Sequence, residues 1–295
     1  MIGTAELVAL EDDVRRAVRT GSDAGLRVLG YGEISLVIGF PAGQPRAACK
    51  RLPAFASAAH AARYEAVFER YLEALRQRGL TVAPSALHTV PASDGTVTGY
   101  VVQPILPAEH LAPAVLRTSP PDADHPVVRA VVDHVVAAVD ETVGLDAQLS
   151  NWVHADDGRL TYLDVTTPIL RGPDGRSALD VDVFLAPFPW AMRAPLRRFV
   201  VPSILARYHD RRSVLLDVAA NLLKERLDPW LPAVVTAANR VLGTAPLTVE
   251  EVRKDYVSDA RQWETLLRLR RADRWWQQTV RRREYPFLLP GRIER

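Results

Sequence analysis

Cysteine is nearly missing from this chain. Cys49 is the only one in 295 residues, which excludes an internal disulfide framework or a cysteine-rich metal site and fits a reducing compartment. It sits in an apolar run and reads as packed. Lysine is almost as scarce: of 37 basic residues only Lys50, Lys224 and Lys254 are lysines, so arginine is the default cation and each lysine is informative. No run reaches about 18 apolar residues without a charge, so no membrane span is expected. The N-terminus, MIGTAELVALEDDVRRAV, carries Glu6, Glu11, Asp12 and Asp13 and lacks the apolar centre of a signal peptide. A cytoplasmic protein is the expectation. The seven histidines show no HExxH or similar metal spacing and none is assigned as a ligand; His134 reads as structural. There is no Gly-x-Ser-x-Gly elbow, no internal repeat and no low-complexity segment.

What is present is 48% hydrophobic residues, enough for a sizeable core, and a net charge of only +2, so bulk charge argues for no polyanionic partner. Residues 5–19 place Leu7, Leu10, Val14 and Val18 at helical spacing. Leu26–Gly30, Ser35–Phe40 and Arg46–Lys50 are short apolar runs broken by Gly and Pro, as in antiparallel strands. From Ser57 to Arg78 the 3.6-residue period returns, with Tyr64, Phe68, Tyr71 and Leu75 on one face. Two more strands, Ala86–Val90 and Thr98–Gln103, flank the turn Ser93-Asp-Gly95. Residues 1–103 therefore predict a small antiparallel sheet with one crossing helix. Pro104, Pro107 and Pro113 mark the boundary to a second, mainly helical part, 104–295. In it, the valine-rich segment Val127–Val143 predicts a buried helix, and Trp152–His154 with Leu160–Asp164 a second hairpin. The last long helix, Asp259–Arg283, carries eight arginines and three tryptophans.

Four features line up in an order suited to phosphoryl transfer. In Gly30-Tyr-Gly-Glu-Ile-Ser-Leu-Val37, Gly30 and Gly32 would let backbone N–H groups approach phosphate oxygens, although two such glycines also make a plain hairpin turn. Lys50 could reach the α- and β-phosphates, or be a surface lysine. A partner carboxylate would come from the crossing helix, Glu65 before Glu69, each of which could equally be a solvated flank. Most specific is Leu145-Asp-Ala-Gln-Leu-Ser-Asn151, followed thirteen residues later by Asp164. An Asp, an Asn five residues on and a second Asp after a short hairpin suit a substrate hydroxyl and magnesium ions beside a γ-phosphate.

In these residues the chain resembles the protein kinase-like superfamily, and more closely its aminoglycoside and choline phosphotransferase-like branch. The resemblance covers about residues 26–170. It implies an α+β, two-lobed fold, with ATP and Mg²⁺ as cofactors and a small-molecule acceptor. It implies further that Lys50 orients the phosphates and Glu65 orients Lys50, that Asp146 positions or accepts a proton from the attacking hydroxyl, and that Asn151 and Asp164 bind Mg²⁺. Tyr100-Val-Val-Gln-Pro104, with Gln103, resembles the lobe hinge whose backbone meets adenine.

Departures from the pattern keep a second reading open, a catalytically inactive relative that binds nucleotide or a partner. Ser35 replaces the third glycine, although its hydroxyl can still donate to phosphate. Gly144 stands where most relatives carry a histidine, Gln148 where protein kinases place a lysine, and Val165-Thr166 follows Asp164 in place of Phe-Gly. The arginine- and tryptophan-rich helix could hold single-stranded nucleic acid. It reads more simply as an amphipathic element with its aromatics toward the core and its arginines solvated or ion-paired, and no nucleic acid is expected. Asp180–Trp190, two acids beside an aromatic and proline run, could line an acceptor pocket or be a buried connection.

Overall fold

The computed structural model describes residues 2–31, 35–155, 157–186, 188–282 and 285. Helix α1 (Thr4–Thr20) buries Leu7, Leu10 and Val14 against a sheet of five strands. These are β1 (Arg27–Tyr31), β2 (Leu36–Phe40), β3 (Ala47–Arg51), β5 (Ala86–Pro91) and β6 (Val97–Pro104). Their order is β1-β2-β3-β6-β5, antiparallel throughout. Tyr31 pairs with Leu36, so the glycine octapeptide is the β1–β2 connection; its residues 32–34 lie outside the described ones.

The crossing helix, α2 (Ala58–Gln77), starts at Ser57, whose hydroxyl accepts the His60 N–H at 3.2 Å, a side-chain cap for an otherwise orphaned donor. It buries Tyr64, Phe68, Tyr71 and Leu75, the face predicted from periodicity, together with Ala61 and Leu72. Successive strand residues point to opposite faces. In β3 this sends Cys49 and Arg51 toward α1 and Lys50, between them, the other way, where it meets Leu163 and Asp164.

A short strand, β4 (Thr81–Val82), joins a second sheet with β7 (Trp152–His154) and β8 (Leu160–Tyr162), in the order β4-β8-β7. The remainder is mainly helical: α3 (Ala112–Arg117), α4 (Pro126–Ala138), α5 (Asp182–Leu185), α6 (Trp190–Pro195), α7 (Val201–Tyr208), α8 (Arg211–Lys224), α9 (Leu231–Leu242) and α10 (Val249–Trp275). The fold is thus α+β, an N-terminal antiparallel sheet with helix followed by a mainly helical part. The main core cluster runs from Leu52 to Val252, so apolar packing is continuous past residue 104. No described helix is long and apolar enough to cross a membrane.

Three expectations need correction. The valine helix stops at Ala138, not Val143, because the Asp140 carboxylate takes the N–H groups of Thr142 and Val143 at 2.7 and 2.8 Å and offers the backbone an alternative to the helix. The last long helix begins at Val249, ten residues earlier than expected, behind a Thr248 cap whose hydroxyl accepts the Glu251 N–H; Thr-x-x-Glu is a start signal legible in the sequence. Its last tryptophan, Trp275, and Trp276 just past its end are not core residues: both are exposed, since the described residues that pack on this helix do not cover them.

Candidate functional site

The segment from Gly144 to Asn151 is held in place from three sides. Gly144 donates its N–H to the Ile169 carbonyl at 2.9 Å, and Leu145 donates to the Tyr208 carbonyl at 3.1 Å. The Tyr71 hydroxyl of α2 donates to the Gly144 carbonyl at 3.0 Å. A Cβ on Gly144 would lie 2.4 Å from Ile169 Cγ2 and 2.9 Å from the Tyr208 carbonyl oxygen, distances no side chain tolerates. Glycine is therefore what this crossing requires, and backbone and tyrosine contacts do the bracing.

Trp152 fixes the other end. Its indole N–H donates to the Ala147 carbonyl at 3.1 Å, and its ring is stacked on His134 at 5.3 Å and tilted against Tyr162 at 4.9 Å. Two donors converge on the Asp146 carbonyl, the Asn151 amide at 3.1 Å and the Tyr162 hydroxyl at 3.0 Å. The Asp–Asn spacing of five residues thus closes into a compact loop with a short 3₁₀ turn at Leu149–Asn151.

The hairpin β7–β8 returns the chain to this loop: Leu163 donates its N–H to the Asn151 carbonyl at 2.8 Å. The next residue, Asp164, meets Lys50. The Lys50 ammonium donates to Asp164 Oδ1 at 3.3 Å and to the Leu163 carbonyl at 3.0 Å. Thr166 Oγ1 donates to the same carboxylate oxygen at 2.8 Å. Burial would raise the Asp164 pKa, but the Lys50 charge and the Thr166 hydroxyl outweigh it and hold the acid below its ordinary value, so it stays ionised. An ionised carboxylate suits a hard divalent cation. Among the described residues no group of three His, Cys, Asp or Glu gathers around a metal position.

Glu65 and Glu69 face solvent on α2. The ion partner of Lys50 among the described residues is Asp164, and Glu69 instead borders an outer groove with Arg70, Arg78 and Arg171. From α2 it is Tyr64, not a glutamate, that reaches the site, its hydroxyl donating to the Thr166 carbonyl at 2.8 Å. Gln103 sits within β6, paired with Ala48, so the chain leaves the sheet only after Pro104. The Gln103 amide donates to Ser85 Oγ at 2.9 Å and to the Leu163 carbonyl at 2.8 Å, which puts β6 beside Asp164. Gly30 lies in β1 with open space where a Cβ would go. Ser35 immediately precedes the return strand β2, and Gly32 is outside the described residues.

Sequence reasoning missed the wall behind the loop. Helix α8 presents Asp217, Asn221 and Lys224 to Gln148. The Gln148 amide donates to Asp217 at 3.2 Å and its oxygen accepts from Asn221 at 3.3 Å and Lys224 at 3.4 Å. The buried Asn221 also accepts the Leu149 N–H at 2.9 Å. Burial raises the Asp217 acid to about 6, despite opposing contributions from Gln148, Arg207 and Lys224. The spacing of 217, 221 and 224 on one helix face was visible, but its target, 69 to 76 residues earlier in the chain, was not.

Fold and site together define an α+β protein whose N-terminal sheet delivers one lysine to a polar loop of the helical part. The chain belongs to a family of unknown function, DUF6206, whose model matches residues 9–274. Among solved structures it is similar to the MAP kinase LmaMPK10 from Leishmania major, at 11% sequence identity and a TM-score of 0.31, with 88% of this chain and 100% of that chain covered. No curated protein matches the sequence.

Proposed function

We propose that this protein is an ATP- and Mg²⁺-dependent phosphotransferase of the protein kinase-like superfamily, in the aminoglycoside and choline phosphotransferase-like branch, acting on a hydroxyl of a small molecule. The observation that carries the reading is the contact of Lys50 with Asp164, 3.3 Å apart across 114 residues of sequence. It sits beside a loop in which the Asn151 amide is tied to the Asp146 backbone. Residues 1–103 would serve as the nucleotide part and 104–295 as the acceptor part.

Each residue has a physical task in this reading. Lys50 offers a flexible point charge to phosphate oxygens, and Gly30, Gly32 and Ser35 leave the β1–β2 connection open to a phosphate chain. Asp146 positions the acceptor hydroxyl and takes its proton. Asp164 and Asn151 are the oxygen donors for magnesium, which when bound neutralises polyphosphate charge. The rest of the rate gain comes from orientation, since phosphoryl transfer needs little covalent help.

Mg·ATP is expected to raise the melting temperature of the intact chain, because a ligand that binds only the folded state stabilises it. Phosphate transfer to one member of a panel of hydroxyl metabolites should accompany it, and Asp164→Ala should abolish both. Full turnover by that variant would overturn the assignment. One observation favours a non-catalytic nucleotide-binding module instead: the Gln148 side chain is taken up by Asp217, Asn221 and Lys224. Stabilisation by Mg·ATP without transfer or hydrolysis across the panel would decide for it.

A further inference from the structure

Helices α6 and α7 bury none of their residues, and the turn between them buries only Leu196. A small satellite cluster of Leu185, Phe188 and Leu196 is all the core this region owns, with Leu266 of α10 packed on its side. Arg270 of α10 lies over the Phe188 ring at 5.9 Å. The 190–208 segment and the distal part of α10 therefore adjoin.

All four exposed aromatic side chains among the described residues lie on these two segments: Trp190 at 74%, Phe199 at 70%, Trp275 at 60% and Trp276 at 48% exposure. Ile204 and Val280, on the same segments, are exposed as well. A monomer gains nothing from leaving so much aromatic surface in water, and such patches mark interaction sites.

The charge of the same segments says what kind of partner fits. Residues 183–209 and 266–282 hold ten arginines; Arg197, Arg207 and Arg268 pair with Asp182, Asp255 and Glu264 and Arg270 is buried, while Arg198, Arg281 and Arg282 are exposed on the same segments as the aromatic rings. A second copy would bring the same positive field and be repelled. Bases stack on aromatic rings but gain nothing from isoleucine and valine. Tryptophan and aliphatic side chains interleaved with arginine suit the boundary of a bilayer, where the rings sit at headgroup level and the guanidinium groups meet lipid phosphates and carboxylates.

We propose that α6, α7 and the distal end of α10 form a docking surface for an anionic lipid bilayer, lying on the membrane without crossing it. This is independent of the phosphotransferase reading. It also gives the exposed Trp275 and Trp276 a partner.

The test is co-sedimentation of the full chain with vesicles of phosphatidylcholine alone and of an equimolar mixture with phosphatidylserine, with tryptophan emission as a second readout. Retention on the mixed vesicles only, a blue-shifted emission, and loss of retention as salt rises are expected. Trp275→Ala with Trp276→Ala should weaken retention about tenfold or more. Arg198→Gln, which alters no buried group, should weaken it about fivefold and keeps the proposal testable if the double variant melts early. Absence of retention at low salt would overturn the proposal, as would unchanged retention in both variants. So would binding to a single-stranded oligonucleotide with the vesicle arms blank, or a dimer that conceals the tryptophans.

Discussion

The hydroxyl of Tyr71 on α2 donates to the carbonyl of Gly144 at 3.0 Å, joining the crossing helix of the sheet directly to the start of the Asp146 loop. Tyr71 is fully buried and burial pushes its phenol far above the ordinary range, so it acts as a neutral donor. Tyr71→Phe leaves a buried carbonyl short of a partner and should lower stability by about 1–3 kcal/mol. Gly144→Ala, or the histidine of the kinase-like pattern, has no room beside Ile169 and the Tyr208 backbone. A loss of roughly 1–3 kcal/mol or more is expected for alanine. Denaturant melts of the two variants check both, and an unperturbed Gly144→His would contradict the packing described.

A second prediction concerns acid. Glu11 of α1 is buried against Arg51, which donates to it at 2.8 and 2.9 Å, with Tyr100 donating at 2.7 Å. Burial alone would raise this carboxyl, but the Arg51 bonds and charge, with Tyr100 and Arg15, hold it at about 2 against an ordinary 4.5. A depressed folded pKa contributes stability that is complete above the unfolded value and is lost as pH falls through the folded one. Stability of the order of 3 kcal/mol should therefore drain away between about pH 5 and pH 2. Glu11→Gln, which leaves Arg51 buried without its counter-charge, should lose roughly 3–5 kcal/mol at neutral pH. Urea melts across that range would read both.

Asp217 behaves in the opposite sense. Its folded pKa is raised from 3.8 to about 6, so its contribution is present at low pH and is lost as pH rises through about 6. Asp217→Asn keeps an acceptor for Gln148 and removes that loss. The variant should gain of the order of 2 kcal/mol over wild type at pH 8 and nothing at pH 3.5. Equal stability of the two proteins at both values would show that Asp217 is not held in this environment.

Cys49 supplies a chemical check on the sheet. It is buried beneath α1 and burial pushes its thiol up to about 12, so almost no thiolate exists at pH 8. A thiol reagent should leave the native chain unmodified and label it once denaturant is added. Rapid labelling of the folded chain would place β3 at the surface.

Much of the fold could be read directly along the chain. The strands β1, β2, β3, β5 and β6 follow from short apolar runs broken by Gly and Pro, and the buried stripe of α2 from a period of 3.6, signals that are local and survive without tertiary context. The loop from Asp146 to Asn151 and its return at Asp164 were likewise legible from spacing. The end of α4 was not, because it is set by the side chain of Asp140, and the start of α10 was missed although Thr248 and Glu251 announce it.

The sequence by itself determined the five strands of the N-terminal sheet, the apolar face of α2, and that Lys50 is a rare cation ending a strand. Only the tertiary structure decided that this lysine meets Asp164 rather than Glu65, that Gly144 is a steric necessity, and that α8 backs the loop through Asn221. It also decided that Trp275 and Trp276 stay in water. The reason is physical: hydrophobic periodicity fixes which way a side chain faces on its own element, whereas a hydrogen bond or an ion pair depends on angstrom-scale approach between elements distant along the chain, which no local pattern encodes.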